Sequence, residues 1–194
     1  MKFTQKNITV MLGAAAMALA GVSAAPASAQ DKNAELVTML ADRAAINDLL
    51  VDYFAQIGTD NHDFRAFFVP NGRLDVNGWV VTGYDEIRSL YDAAGGGAGD
   101  AMGSKEKAAV AIPRGRFDML FSNLKVTVTG NTAVATLNWY SVLSEKLIFP
   151  PAVTEYGRER TELVKKDGKW LITDRKVISD GGMPDGELKT YKAW

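Results

Sequence analysis

The residues whose types and spacing could do chemistry are a tyrosine, two arginines and a lone histidine. Tyr53 belongs to a set of apolar residues at helical spacing: Met39, Ile46, Leu50, Tyr53 and Ile57, with Leu49 and Phe54 flanking. Its phenol is therefore expected on a buried helix face. There it either donates a proton or holds an oxyanion, or it is a core tyrosine whose hydroxyl is satisfied locally. Arg158 and Arg160 stand two residues apart in a strand and share one face with Tyr156 and Glu162; Glu159 and Thr161 lie on the other. Pointing inward, a guanidinium would stabilise a developing phenolate, enolate or alkoxide. Pointing outward, it would be a solvated charge paired with its neighbours. Two buried arginines are costly unless both are paired, so at most one is expected in a pocket, and Arg158 is the candidate.

His62 is the single histidine of the chain and the side chain whose ordinary pKa lies nearest neutrality. In the run Asp60-Asn61-His62-Asp63 it is either a surface histidine or, with Asp63, an acid/base candidate. Asn138 and Tyr140 share a strand face opposite Trp139, and with Tyr156 they are candidates to bind a substrate. Trp79 and Trp139 read first as packing, although an aromatic wall suits an aromatic substrate, and Trp79 is kept on that account. Asp75 reads as a solvent-facing carboxylate.

Composition narrows the chemistry. The 194 residues carry 22 Lys plus Arg against 23 Asp plus Glu, a net charge of −1, with 47% hydrophobic residues and no cysteine. Near-neutral charge argues against a nucleic-acid binder that relies on phosphate contacts. The lack of cysteine removes disulfides, Cys-based zinc sites, iron–sulfur clusters and a Cys nucleophile. One histidine per chain excludes a multi-His metal site. Gly95-Gly96-Gly97 is not followed by a Lys-Ser/Thr phosphate cradle, and there is no Gly-x-Ser-x-Gly elbow. Neither a metal nor a cofactor is expected.

Residues 1–29 read as a secretory signal peptide. Lys2 and Lys6 precede the apolar run Ile8–Ala20, and Ala27-Ser28-Ala29 is a small-residue cleavage pattern. The run is short for a membrane span, which needs ~20 apolar residues, and no basic stop-transfer cluster follows it. The expected location is periplasmic or secreted, with no membrane attachment after cleavage. Removing residues 1–29 leaves 165 residues and takes away two lysines and no acid, moving the charge from −1 to −3.

The rest divides into a domain over 30–178 and a polar tail over 179–194. A helix over 34–57 ends at Gly58. A short second helix, capped by Asp60 or Asn61, holds Phe64, Phe67 and Phe68 until Pro70-Asn71-Gly72 breaks it. Leu74 and Val76 enter a hairpin at Asn77-Gly78, and Trp79–Thr82 returns. A third helix after Gly83 presents Ile87, Leu90 and Tyr91. Residues 93–115 form a long small-residue segment, a lid or an unstructured insertion. Long antiparallel strands follow over 117–128, 132–143, 153–165 and 170–178. This is an α+β order. One solution is a curved antiparallel sheet wrapped around the long N-terminal helix, enclosing an apolar pocket with a few convergent polar groups.

The stretch Asp42-Arg43-Ala44-Ala45-Ile46-Asn47-Asp48-Leu49-Leu50, then Tyr53, Asp63-Phe64 and Phe68, resembles the opening of SnoaL-like proteins of the NTF2-like superfamily. Gly83-Tyr84-Asp85-Glu86-Ile87, Ser122-Asn123-Leu124, Gly130-Asn131-Thr132-Ala133, Tyr156-Gly157-Arg158-Glu159-Arg160 and Asp167-Gly168-Lys169-Trp170 look like later elements of that fold, in order. The resemblance implies a cone-shaped barrel with two further helices, an internal pocket, a small-molecule substrate and often a homodimer. It also implies a pocket role for Tyr53 and marks Asn123 as the central-strand asparagine. Gly58 stands where scytalone-dehydratase-like members carry an Asp, and Met119 or Leu120 stands near the place of a histidine, so the His–Asp dehydration machinery is missing or replaced.

Together these point to a cofactor-independent lyase. It would work by elimination or retro-aldol-type cleavage, with loss of water or formaldehyde, on a small hydroxylated aromatic compound such as a lignin-derived one. Tyr53, Arg158, His62 and Asp63 would be catalytic; Asn123, Asn138, Tyr140, Trp79 and Tyr156 would bind substrate. A binding module without catalysis and an isomerase of the same superfamily are the alternatives. Export has its own test: mature protein from the periplasmic or secreted fraction should begin at Gln30, and full-length chain held in membranes would contradict it.

Overall fold

The computed structural model describes residues 27–57, 63–91, 116–183 and 185–192. The expected signal peptide up to residue 26, His62 and the 93–115 segment lie outside the described residues. The apolar stripe of the sequence becomes α1 (Ala27–Gln56). Ile46, Leu50, Tyr53 and Phe54 are buried along it, and Leu49 and Ile57 are partly so. A fully buried large apolar side chain contributes about 1.5–3 kcal/mol, so these anchors, more than intrinsic propensity, hold the helix in place. Further back along the same stripe, Asp42 ties α1 to the sheet. Its carboxylate accepts from Lys165 Nζ at 2.6 Å and from the Trp170 indole N–H at 3.1 Å. The hydrogen bond from Lys165 holds the Asp42 carboxyl below the ordinary aspartate value, against the opposing pull of burial.

Six strands follow: β1 (Phe68–Val76), β2 (Trp79–Thr82), β3 (Phe117–Thr129), β4 (Thr132–Leu143), β5 (Ala152–Lys166) and β6 (Lys169–Gly181). A helix over 84–91, α2, lies between β2 and β3 in the chain. The strands lie in the order β2-β1-β6-β5-β4-β3. Every pairing is antiparallel except that of β1 with β6, which is parallel. Asn77-Gly78 and Asp167-Gly168 both turn with positive φ at each residue, 53° and 88° in the first, 50° and 78° in the second. That is the mirror-image turn whose twist matches the flanking strands.

Two expectations about the architecture are overturned. The sheet is open, with β2 and β3 as separate edges, so the chain forms neither a cone-shaped barrel nor a strongly curved wall wrapped around α1. Closure would require the four-residue β2 to reach β3 across the face that α1 covers. Moreover, α1 is accompanied by one further α-helix among the described residues, not two. Phe64, Phe67 and Phe68 have helical spacing, yet only Phe64–Ala66 make a single 3-10 turn, capped by the Asp63 carboxylate at 3.1 Å from the Arg65 amide. Phe68 already begins β1 and pairs with Ile172. Pro70 follows too closely for an α-helix to offset its costly nucleus, whereas β6 offers a ready strand partner.

Breaks in strand register set which side chains face α1. In β6, Leu163 pairs with Ile172 but Glu162 pairs with Asp174, leaving Thr173 as the extra residue. Trp170 and Ile172 are buried before it, and Arg175, Val177 and Ser179 after it. One inserted residue has reversed the alternation. In β3 the register shifts between Ser122 and Lys125, and Asn123 there has φ 54°, a conformation Asn tolerates better than most residues. Asp75 is buried rather than solvent-facing: it accepts from Arg73 Nη2 at 2.8 Å and from the Gly78 amide at 2.9 Å.

The tail packs back on the hairpin. Its 3-10 turn (Asp185–Lys189) brings Glu187 within 2.5 Å of Asn77 Nδ2. A Cβ at Gly78 would come within 2.0 Å of the Thr190 carbonyl, so both its φ and its neighbour demand glycine.

Replacing Asp42 by Ala should lower stability by about 1–3 kcal/mol, because the Trp170 N–H loses its buried acceptor; denaturant midpoints measure this. The Asp42 contribution is fully present above the ordinary aspartate value of 3.8 and fades as pH falls through its lower folded value. The D42A variant should therefore lose less stability on acidification than the parent.

Candidate functional site

Tyr53 is buried, and its ring meets those of Phe54, Phe64, Phe67 and Phe68 with centroids 5.2–6.2 Å away. Its hydroxyl lies 2.5 Å from that of Tyr91, at the end of α2, and the Tyr91 ring stacks on Phe64 at 4.5 Å. Arg175 Nη1 donates to both phenols, at 2.9 Å to Tyr53 and 2.8 Å to Tyr91. Arg175 Nη2 donates to Glu159 Oε2 at 2.5 Å, and Thr161 Oγ1 donates to the other carboxylate oxygen at 2.6 Å. The guanidinium lies over the Tyr53 ring, 4.4 Å from its centroid. The side chains of Arg175 and Glu159 are 3% and 0% exposed.

Register explains the meeting. Thr161 is directly opposite Arg175 across β5 and β6, and Glu159 is two residues further on, on the same face. On β4 the inward row is Ala133, Ala135, Leu137, Trp139 and Ser141. Leu137 pairs with Glu159 and Trp139 with Gly157. A Cβ on Gly157 would stand 2.7 Å from the Trp139 ring, so the glycine leaves room for that indole, whose N–H donates to the Arg158 carbonyl at 3.3 Å.

Burial works against the charge on Arg175, but the Glu159 carboxylate beside it overcomes this and keeps the guanidinium protonated well above its ordinary value. Burial pushes the Tyr53 phenol well above the ordinary 10.0, with the Arg175 charge opposing. The Tyr53 phenol is therefore protonated at neutral pH. Among the described residues the one acceptor in reach of the Tyr53 proton is the Tyr91 oxygen. Tyr53 thus donates to Tyr91, which accepts from Arg175 as well. A half-buried phenol polarised in this way can donate to an oxygen that gains negative charge during a reaction.

Of the residues singled out in the sequence, Tyr53 is in this cluster. Arg158 is not: the outward alternative holds, with the guanidinium 41% exposed and Nε 3.1 Å from Asp180. Asn138 is the cross-strand neighbour of Arg158, and Tyr140 that of Tyr156. The structure therefore gathers these four, but on the sheet face away from α1, where Tyr156 is exposed. Arg160, also outward, pairs with Glu162. Asn123 is at the exposed β3 bulge. Trp79 is half exposed and lines a separate groove of about 300 Å³ with Val81, Asp85, Glu86, Ser89 and Leu90. Asp63 caps the turn before Phe64, with its amide bonded to Gln56. His62 lies outside the described residues.

Arg175, Glu159, Thr161 and Tyr91 were not anticipated as site residues. The inward face of β5 was only half readable: the apolar row Ala133-Ala135-Leu137-Trp139 fixes the inner side of β4, but the link over 144–151 is no tight turn and does not set the register that puts Glu159 opposite Leu137. Arg175 was not readable by alternation, since strict counting from Trp170 and Ile172 turns it outward.

Among the described residues no group of three or more His, Cys, Asp or Glu side chains converges as a metal site would require. No helix there is long and apolar enough to cross a membrane. The fold is thus an open α+β sheet under one long helix, with a buried polar cluster between them. Residues 38–176 match the SnoaL-like domain family, and the chain belongs to that family. A search of the curated proteins gave no match. Among solved structures, an NTF2-like protein with a cystatin-like fold from Novosphingobium aromaticivorans is 17% identical, with 82% of this chain and 95% of that one covered and a TM-score of 0.58. Rv3472 from Mycobacterium tuberculosis, of unknown function, is 20% identical over 75% of each chain, with a TM-score of 0.57. A protein provisionally described as a scytalone dehydratase, also from Novosphingobium aromaticivorans, is 19% identical over 73% of this chain and 86% of that one, with a TM-score of 0.53. At these identities the likeness is one of fold. Family membership supports a protein that acts on a small molecule and is consistent with catalysis, without fixing a reaction.

Removing Arg175 alone would leave Glu159 buried without a counter-charge. Arg175→Ala should cost about 3–5 kcal/mol, whereas Arg175→Met combined with Glu159→Leu should cost far less. Denaturant unfolding of the two variants checks this.

Proposed function

We propose that the protein is an exported, cofactor-independent lyase acting on a small, mostly apolar, hydroxylated aromatic compound. The observation that carries this reading is the phenol pair Tyr53–Tyr91 held by the buried Arg175. The cluster offers a donor fixed in advance of any reaction, in surroundings where such a donor is worth far more than in water.

In an elimination, a base takes a proton from carbon, the freed electron pair forms the C=C bond as the C–O bond breaks, and the hydroxyl leaves as water with the proton returned by the protonated base. In a retro-aldol cleavage, the proton comes from a hydroxymethyl oxygen, the C–C bond breaks, and formaldehyde departs while the electron pair delocalises into the aromatic or carbonyl system. In both, negative charge builds on an oxygen conjugated to the reacting carbon. The phenol pair and the Arg175 guanidinium beside it stabilise that oxygen. His62 or Asp63, on the connection from α1 into Phe64, is the proposed base. The aromatic cage around Tyr53 supports an aromatic substrate by continuity of its apolar wall.

Incubation of purified protein with a panel of hydroxylated aromatic compounds, without added cofactor and followed by chromatography, tests the proposal. Product should form, and Tyr91→Phe should lose about 10²–10³ in turnover, as removal of an oxyanion donor does. Arg158→Ala, on the far face of the sheet, should leave turnover nearly unchanged. No product across the panel, or undiminished turnover in the Tyr91 variant, would refute the assignment and favour a binding role without catalysis.

A further inference from the structure

The two edges of the sheet are built differently. The β3 edge runs for 13 residues, carries Asp118 and Lys125, and shifts register at Asn123. Charge and irregularity of this kind discourage pairing with another chain. The β2 edge is Trp79-Val80-Val81-Thr82, with neither a charge nor a register shift. Trp79 and Val80 are 49% and 45% exposed.

The hairpin sets the direction of the backbone groups. Val76 and Trp79 flank its two-residue turn and so form a hydrogen-bonded pair. Alternation makes Leu74 and Val81 the next such pair, and two residues further on the Gly83 amide meets the Gly72 carbonyl at 2.8 Å. The N–H and C=O groups of Val80 and Thr82 therefore point away from β1. Glu86 already accepts from the Thr82 amide at 2.9 Å. Val80 keeps both its groups without a backbone partner among the described residues.

The groove of about 300 Å³ lies beside this edge. Trp79 and Val81 share the core face of β2, because Val81 lies opposite the buried Leu74. Leu90 is buried and Val81 partly so, whereas Trp79, Asp85, Glu86 and Ser89 are exposed. A volume at the small end of ligand pockets suits one side chain better than a whole cyclic compound. The ionisable residues that line it, Asp85 and Glu86, are both acidic.

We infer that the β2 edge and its groove are a docking site for an extended peptide segment in which an apolar residue has a Lys or Arg two positions away. The segment adds a strand beside β2 and exchanges backbone hydrogen bonds with Val80. The residue opposite Trp79 or Val81 then turns its side chain to the core face and into the groove. A basic residue two positions on shares that face and meets Asp85 and Glu86. With one residue of open ladder, side chains supply most of the affinity, and tryptophan is enriched among such anchors. A second copy of the chain fits less well, since pairing β2 with β2 brings the acidic residues of both copies together. The site is separate from the Tyr53–Arg175 cluster and stands whether or not the lyase reading does.

The probe is acetyl-Lys-Thr-Leu-Thr-Lys-amide, which reads the same in either strand direction. Titrated into the purified protein and followed by heteronuclear NMR, it should shift the Val80 amide and the Trp79 indole N–H together and saturably, and slow hydrogen exchange at Val80. The same peptide with glutamate in place of both lysines should bind at least about tenfold more weakly, because like charges would then face each other. Methylating both threonine amides, or using the Trp79→Ala protein, should also cost at least about tenfold. Trp79 is half exposed, so that variant should fold as the parent does. An unmoved Val80 amide at millimolar peptide overturns the inference. So does equal binding of the lysine and glutamate peptides, or undiminished binding to Trp79→Ala. Concentration-dependent dimerisation that Val80→Pro abolishes would give this edge to a second copy instead; proline is tolerated where an edge N–H faces solvent. If Val80→Pro fails to fold, the peptide comparisons decide alone.

Discussion

The structure depends on one ion pair in a dry place. Arg175 and Glu159 lie beneath α1 with almost no solvent contact. Taking two ions out of water costs several kcal/mol each, and their mutual attraction offsets this only when geometry and remaining hydrogen bonds are good. Here the remaining partners are supplied: Thr161 to the carboxylate, and Tyr53 and Tyr91 to the guanidinium. Each partner arrives from a different element, so α1, α2, β5 and β6 must be in register before the pair is tolerable. The bulge at Thr173 has meaning in this light. Without it Arg175 would face outward, leaving Glu159 as a buried carboxylate without a cation.

Much of this could be read in the chain and some could not, for physical reasons. The stripe from Ile46 to Ile57 announced α1 because a helix must bury one face, and Tyr53 stood on that stripe. Asn77-Gly78 and Asp167-Gly168 announced their turns because few other residues accept two positive φ angles in succession. The strand spans came from alternation and are right to within a few residues. Phe64, Phe67 and Phe68 misled because a helical spacing of three residues is no evidence for a helix when a proline follows at once. The parallel pairing of β1 with β6 is a contact across about a hundred residues that no local pattern encodes. The site itself was half legible. Tyr53 followed from periodicity, whereas Arg175 was hidden because a bulge changes parity and leaves no mark in composition.

The same parity separates two sets of polar residues that look alike in sequence. Arg158, Arg160 and Glu162 alternate with Glu159 and Thr161 along a single strand, and both rows carry charge. Outward, Arg158 and Arg160 pair with Asp180 and Glu162 in partial contact with water, where such pairs contribute little. Inward, Glu159 is fixed by two donors and has no water to soften its field. Identical residue types on adjacent positions therefore do different physics, and inspection of the strand alone could not say which row mattered.

Stability does not account for the inward row. Buried ion pairs can often be replaced by apolar residues of similar volume with no loss, or with a gain, and the surrounding Phe54, Phe64, Phe67 and Phe68 would accept such a replacement readily. The fold instead buries an arginine, a glutamate and two phenols, and leaves one arginine donor without a partner among the described residues. Local rules are broken in this way chiefly where a structure holds groups ready for a task. Donors that are already oriented and already desolvated need no reorganisation when negative charge develops beside them. A packing role would ask for none of that arrangement, and a role in holding a polar atom of a small molecule asks for all of it.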